Sequence, residues 1–267
     1  MEYGYWPFKG VGEYIRWITA YLGLEVQEWN PKDKEEWAEK KKSYSLKNPF
    51  INLPYLKDGE TITAESRAIV EALAFKAGRA DLLGEGEMDK VMVTTLVGVL
   101  GDFRKGLQGG MCPDLQKMRE ALEKNSEEIL RPKLEAFNKF LGDKEFLLGY
   151  VTIADFELAF YQEALGAMVA IVGLPSIFEE FPLIQKMVKK LRCLPGLKEY
   201  FLTGAYIQRP LFPMMAKMME LAEEEKKQKD CGEVIKEEKK EEKKEAKVEA
   251  VVQEKVKTVV VAPVKDK

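Results

Sequence analysis

The segment from Ile51 to Ala74, INLPYLKDGETITAESRAIVEALA, limits the folds open to this chain more than any other. It reads as a complete strand, turn, strand and helix. Tyr55 to Lys57 is a short strand, Asp58-Gly59 a hairpin turn whose glycine accepts positive φ, and Glu60 to Thr63 the return strand. From Ala64 to Lys76, the spacing of Ile69, Val70, Leu73 and Phe75 predicts a helix with one apolar stripe. Leu53-Pro54 stands just before the first strand, where a cis bond is tolerated. In that form the Leu53 N–H and C=O face outward, as a free edge for an extended peptide. Glu65 and Ser66 fall at the helix start, where unpaired N–H groups and the macrodipole favour an anion. A peptide edge beside a carboxylate pocket suits a small peptide ligand.

The residues before this segment complete a larger unit. Glu2 to Trp6 alternates toward a strand, Pro7 to Gly10 is a turn, and Val11, Tyr14, Ile15, Ile18 and Leu22 have helical spacing. Glu25 to Trp29 is a second strand, so the first three elements form a parallel βαβ unit. Asn30 to Phe50 is charged and irregular, with a short helix around Glu35 to Lys42. The fold class that follows is α/β plus all-α. An N-terminal thioredoxin-like βαβ-ββα domain covers residues 1–77, and a Gly- and charge-rich linker covers 78–87. A C-terminal helical bundle covers 88–219. The Cys-x-x-Cys motif of thioredoxins is absent.

In the helical part, Met88 to Leu107 carries a long apolar face, and Asp114 to Leu141 is amphipathic with a break or kink at Arg131-Pro132. Thr152 to Val172 is nearly all apolar and reads as the buried central helix. Thr152 and Asp155 form a capping box, flanked by a Val151–Phe156 staple. Asp155 could also be read as catalytic, but a buried helix needs these residue types at this spacing for its cap. Phe181 to Arg192 and Gly196 to Leu202 are shorter helices, and Ala205 to Phe212 reads as extended.

Composition removes many chemistries. The chain has no histidine, which excludes histidine triads, His-Glu zinc sites and imidazole acid–base catalysis. Neither a P-loop nor a dinucleotide fingerprint is present. Three cysteines, Cys112, Cys193 and Cys231, are odd in number and far apart, which argues against a disulfide framework and for a reducing compartment. A net charge of −3 is too small to imply a nucleic-acid partner. No segment is apolar enough for a membrane span, and the strand-like start leaves no room for a signal peptide. What remains is Tyr, Ser, Cys, carboxylates or a bound thiol, with no metal.

Leu53-Pro54, Glu65-Ser66 with the Ala68-Ile69 helix, and Gly4-Tyr5-Trp6 before a Lys9-Gly10 turn resemble the cytosolic glutathione transferases. Within them the mu class is most similar, although it has Arg-Gly where this chain has Lys9-Gly10. The resemblance spans about residues 1–219 and closes with Tyr206-Ile207 and Pro210-Leu211-Phe212. Thr152 to Asp155 is similar to a motif that serves folding in that family. The resemblance implies a cytoplasmic homodimer active in detoxification, joining the thiol of glutathione to small electrophiles. Glutathione is a co-substrate, and no cofactor is implied. The catalytic tyrosine of the family falls on Tyr5. A thiol of pKa ~8.5 is only a few per cent ionised at neutral pH. Lowering that value by ~2 units takes roughly 2.7 kcal/mol, close to the ~1.5–3 kcal/mol of one hydrogen bond to a charged group. The other reading of Tyr5 is a buried strand tyrosine satisfied by backbone.

The remaining site is implied position by position. Trp6 and Val11 would flank the peptide, and Asn52, Leu53 and Pro54 would hold its cysteinyl backbone. Glu65 and Ser66 would hold the γ-glutamyl ammonium and carboxylate. Trp37 and Lys41 would hold the glycyl carboxylate, the alternative being a solvated loop. Asp102 would reach the ligand of the neighbouring subunit, the alternative being a solvent-facing helix residue. Glu65 stands where the mu class usually has Gln, which keeps an acceptor and adds repulsion. No tyrosine stands near Gly110 to Pro113, where the class often has a second one, so substrate range does not transfer. Cys112 reads as a reactive thiol or as a small packed cysteine. Residues 220–267 hold 14 acidic and 13 basic side chains. The repeat from Glu237 to Glu245 places like charges at i,i+4, so this tail reads as charged and disordered. The alternative to an enzyme is a non-catalytic scaffold or assembly module that uses the tail to recruit partners, through its charges or Val259 to Val261. A third reading is an isomerase or peroxidase that uses the same thiol.

Overall fold

The sheet has four strands: β1 Glu2–Gly4, β2 Gln27–Trp29, β3 Tyr55–Asp58 and β4 Thr61–Ala64. Their order is β2-β1-β3-β4, with β1 parallel to β2 and the other neighbours antiparallel. A parallel pair needs a crossover, and α1 (Glu13–Tyr21) supplies it behind a single 3-10 turn at Gly10–Gly12. The helices α2 (Lys34–Tyr44) and α3 (Ser66–Lys76) complete the thioredoxin-like half. A computed structural model describes residues 1–107, 112, 114–224 and 226. The readings made for Gly110, Met111 and Pro113, and for the tail beyond 226, lie outside the described residues.

Local chemistry moves several boundaries. Asp58 pairs with Thr61, so the hairpin turn is Gly59-Glu60 and not Asp58-Gly59. Gly59 sits at φ +58°, the conformation that a two-residue turn asks of its first residue. The third helix starts at Ser66 and not at Ala64, because Ala64 still belongs to β4. Phe75, expected on the apolar stripe, is 63% exposed, and Ala74 takes the buried position beside Leu73.

The helical half consists of α4 (Glu87–Leu107), α5 (Leu115–Asn125), α6 (Arg131–Leu141), α7 (Ile153–Ile171), α8 (Pro182–Arg192), α9 (Leu197–Phe201) and α10 (Gly204–Gln208). A π-helical turn at Ser126–Leu130 separates α5 from α6, and Pro132 opens α6, where a missing N–H costs nothing. The segment read as extended holds α10, whose first turn is capped by Thr203 accepting the Tyr206 N–H. The chain divides into two compact units, Met1–Met218 and Met219–Lys267. In the second unit residues 219–224 are helical. Every interaction described below lies in the first. Among the described residues, no helix is long and apolar enough to cross a membrane.

The centre of the first unit is α7. Twelve of its side chains are buried, and it packs on α1, α4 and α8. An aromatic seam joins it to α1: Trp17 and Tyr14 meet Phe160 at 6.4 and 6.2 Å, and Tyr21 meets Phe156 at 5.4 Å. Asp155 is fully buried at the start of α7 and accepts from Thr152 N (2.8 Å), Thr152 Oγ1 (3.0 Å) and Leu147 N (2.8 Å). Burial pushes its carboxyl up to about 6 against the pull of those donors. The capping reading of Thr152 and Asp155 therefore stands, with the Leu147 loop tied to the same carboxylate. Replacing Asp155 by Ala strands three buried donors. We expect a loss of about 3 kcal/mol or more in urea-unfolding stability at unchanged m-value. Asp155→Asn, which keeps one acceptor, should lose less.

Candidate active site

Tyr5 follows the last residue of β1, and its backbone is held on both sides. Its N–H donates to Trp29 O (3.1 Å), and its C=O accepts from Asn30 Nδ2 (2.8 Å). These bonds send the ring toward the first turn before α1. The fit there requires two glycines. A Cβ on Gly12 would lie 2.3 Å from the Tyr5 ring, and one on Gly10, which has φ +40°, would lie 2.7 Å from its hydroxyl oxygen. Phe8 closes the other side, edge-on at 5.6 Å, and leaves Tyr5 6% exposed.

The backbone N–H groups of Val11 and Gly12 point at the phenol oxygen. Burial raises the Tyr5 hydroxyl above its ordinary pKa, against Arg16 and those N–H groups. The phenol is therefore protonated at neutral pH. Its oxygen lies at the helix mouth, where a Cβ on Gly10 would come within 2.7 Å of it, and it keeps its proton. Arg16 stands 5.6 Å over the ring and donates to the carbonyls of Trp6 (3.3 Å), Phe8 (3.2 Å) and Lys9 (3.5 Å). It braces the turn that carries Tyr5. The sequence reading missed Arg16 and Asn30. The available signal was a charged residue between Ile15 and Trp17, inside a helix whose other inward residues, apart from Glu13, are apolar or aromatic.

A second group of expected site residues meets around one core cluster. Trp37, Ile51 and Tyr55 are buried together, with Trp6, Trp29, Tyr44 and Leu53 packed against them. Trp37 stacks on Tyr55 at 6.1 Å and 9°, so it is a packed residue and not part of a solvated loop. Lys41, one turn further along α2, is exposed. The Leu53-Pro54 bond is cis. Among the described residues, the Leu53 N–H and C=O have no hydrogen-bond partner. Asn52 is exposed beside them, and Pro54 is buried.

Glu65 has φ +70° and ψ 125°, the one non-glycine residue at positive φ among those described. A bulky side chain held there is strained by about 1–3 kcal/mol, a feature that clusters at ligand sites. It is exposed at the start of α3. The Ser66 hydroxyl is directed at the buried phenol of Tyr14, on the helix that begins beside Tyr5. Asp102 does not join these groups. It pairs with Lys105 (2.7 Å) and Lys133 (3.2 Å), and those partners hold its carboxyl below the usual range. Among the described residues, no group of His, Cys, Asp and Glu could hold a metal ion. Cys112 is half-buried and Cys193 exposed, and both are free thiols.

Residues 1–74, which contain Tyr5, Leu53-Pro54 and Glu65-Ser66, match the family described as glutathione S-transferase, N-terminal domain. Residues 101–203 match glutathione S-transferase, C-terminal domain. Glutathione S-transferase Mu 1 of Oryctolagus cuniculus is 30% identical over 222 residues, covering 79% of this chain and 95% of that one. The class-mu 26 kDa isozyme 7 of Fasciola hepatica is 29% identical over 213 residues, covering 78% and 91%. Two solved structures share the fold. One is the glutathione S-transferase Blo t 8, with TM-score 0.65 and 24% identity over 80% of this chain and 98% of that chain. The other is rat hPGDS complexed with a quinoline, with TM-score 0.62 and 23% identity over 78% and 96%. Both halves of the architecture, and relatives matched over nearly their whole length, agree that this chain belongs to the glutathione S-transferase family.

Proposed function

We propose that this chain joins the thiol of glutathione to small electrophiles, with the Tyr5 hydroxyl holding the thiolate. One observation carries the reading. The Tyr5 oxygen lies against helix-mouth N–H groups, and burial keeps its proton in place, so it is a donor and not a base. Leu53 offers its free N–H and C=O to the cysteinyl backbone, between Asn52 and Pro54. Glu65 takes the γ-glutamyl ammonium, and Ser66 takes the carboxylate by turning its proton from Tyr14 to the ligand. Trp6 and Val11 wall the peptide. Lys41 serves the glycyl carboxylate, with Trp37 as the packed wall below it. Asp102 contributes across a dimer only by exchanging Lys105 and Lys133 for the partner's ligand. Residues 1–77 are the glutathione half, joined through 78–87 to a helical half over 88–219 that faces the electrophile. We place the enzyme in the cytoplasm, in a detoxifying role.

A homodimer fits the distribution of apolar surface. Phe50 is 81% and Leu46 88% exposed on the loop after α2, and Met88 and Val91 are exposed on α4. Single exposed apolar residues are ordinary, but two such pairs on separate elements suit a surface covered by a second copy. Phe50→Ser should shift the chain toward monomer in sedimentation-velocity runs at micromolar concentration. An unchanged sedimentation coefficient would remove Phe50 from the interface.

Tyr5→Phe removes one hydroxyl and leaves the ring packing on Gly12 intact. We expect near-native glutathione affinity with the thiol pKa raised by about 1–2 units, followed through the ultraviolet absorbance of bound thiolate. In the parent enzyme the rate should climb with thiol ionisation and show no decline from Tyr5 below about pH 10, because burial raises that phenol. Undiminished thiolate in the mutant would assign activation elsewhere. Binding without turnover in the parent would make the chain a glutathione-binding scaffold.

Ser66→Ala should weaken glutathione binding by about 1–2 kcal/mol, roughly 5- to 30-fold in Kd. Titration calorimetry measures it, and unaltered affinity would mean the peptide lies away from this helix start.

A further inference from the structure

Behind the Tyr5 turn lies an ionic network, buried at Glu13 and Arg16 and open to solvent at Glu28, that thiolate stabilisation does not by itself explain. Glu13, the first residue of α1, is fully buried. It accepts from Trp17 Nε1 (3.2 Å), Tyr200 Oη (2.8 Å) and Arg16 Nη1 (3.0 Å), and it lies 3.6 Å from Arg209 Nη1. Glu28, on β2, accepts from Arg16 Nε at 2.8 Å and from Arg209 Nη2 at 2.8 Å. The same two carboxylates thus bridge the same two guanidiniums, one from α1 and one from a segment near residue 210. Burial alone would raise Glu28, but Arg16, with Arg209 behind it, holds it below its usual range. Two anions and two cations close the local charge.

The C-terminal segment also touches the turn directly. Lys9 N donates to Pro210 O (2.8 Å) and Gly10 N to Leu211 O (3.0 Å). Leu211 and Phe212 are buried and fix that strand of chain in place. Lys9 Nζ pairs with Glu163 (2.7 Å), which also accepts from Arg192 and Tyr206 at 2.7 Å, and Lys9 lies 3.9 Å over the Tyr206 ring. The Trp6–Gly10 turn is therefore gripped from two sides. Backbone bonds from Pro210 and Leu211 hold its end, and Arg16, aligned by the two carboxylates, holds its carbonyls.

We infer that Arg209, with the segment from Tyr200 to Leu211, positions the Tyr5 hydroxyl for the thiol by clamping the Trp6–Gly10 turn through Arg16 and Glu28. These are positioning residues, since none of them reaches the peptide edge at Leu53 or the helix start at Ser66. The inference rests on the reading of Tyr5 as the thiolate donor. Its physical basis is competition for Arg16. That guanidinium has five donors, shared between two carboxylates and three carbonyls. Without Arg209, Arg16 is the one cation left to both carboxylates among the described residues, beside the neutral donors Trp17, Tyr200 and Asn30, and the weaker bonds to the carbonyls of Trp6, Phe8 and Lys9 yield first. The turn then loosens, and with it the hydroxyl aimed from the surface of Gly10 and Gly12.

The test is Arg209→Met in the full chain, with the thiol pKa of bound glutathione read by ultraviolet absorbance and Kd read by calorimetry. The expected result is a rise of about one pH unit, hence roughly ten-fold less thiolate and slower turnover below that value, with Kd changed less than about two-fold. Arg209→Lys, which restores a cation for Glu28, should recover part of the shift. In a Tyr5→Phe background, Arg209→Met should add nothing, because the group it positions is gone. If Tyr5→Phe alone leaves the thiol pKa at the parent value, the thiolate reading fails. If Tyr5→Phe raises it and folded Arg209→Met does not, only the clamp fails. Should Arg209→Met not fold, Tyr200→Phe, which removes one donor from Glu13, is read in its place. A shift in the same direction supports the clamp, and none overturns it.

Discussion

The site depends on where a single phenol oxygen is allowed to sit. Against the mouth of a helix it meets N–H groups that have no partner within the helix. An oxygen that accepts there keeps its own proton pointing away, and burial raises the energy of losing it. Both conditions come from Tyr5 lying on backbone instead of on side chains, which is why Gly10 and Gly12 stand beneath it. A methyl group at either position would displace the ring. The proposed donor thus rests on two missing side chains and a first helical turn wound as 3-10.

Such an arrangement needs a rigid support, and the helical half provides it. Trp17 and Phe160 are buried, and their contact ties α1 to α7. Each large apolar side chain buried there contributes about 1.5–3 kcal/mol, and an aromatic pair adds about 0.5–1.5 kcal/mol. The Asp155 cap fixes where α7 begins, and so where Phe156 and Phe160 present their rings to α1. A stable bundle therefore determines the pitch of the helix whose first turn receives Tyr5. This is the sense in which residues far from Leu53 belong to the proposed chemistry.

Much of this was legible in the sequence, and the reason differs from one feature to the next. The β3–β4 hairpin, the cap at Thr152 and the buried α7 were readable because each is encoded within a few adjacent residues. Leu53-Pro54 and Glu65-Ser66 were readable as a pair of edges, although the strain at Glu65 was not, since no local pattern announces positive φ at a carboxylate. The π turn before Arg131 was read only as a break, because proline marks that a helix is interrupted and not how. Phe75 was misassigned for lack of an angular margin: Ala74, one residue earlier, turns inward in its place. Trp37 was read as a holder of the glycyl carboxylate or as part of a solvated loop, and only its stacking on Tyr55 removes the second reading. Arg16, Glu13, Glu28 and Arg209 were invisible as a set, because an ion network between distant segments has no period and no spacing.

That network is also the hardest feature to explain by stability. Desolvating the buried Glu13 and Arg16 costs several kcal/mol per ion, and the attraction within the network does little better than restore it. Apolar residues of similar volume would hold α1 to the C-terminal segment at least as well. What they could not do is supply directional donors to the carbonyls of Trp6, Phe8 and Lys9 in a turn that has no regular structure of its own. A guanidinium can, provided that carboxylates fix its plane, and a second arginine shares those carboxylates without drawing the first away. Exposed pairs such as Arg67–Glu71 have no comparable task and contribute little. The difference between the two kinds of ion pair is therefore one of geometry delivered to a neighbour, and the neighbour here is the turn that carries Tyr5.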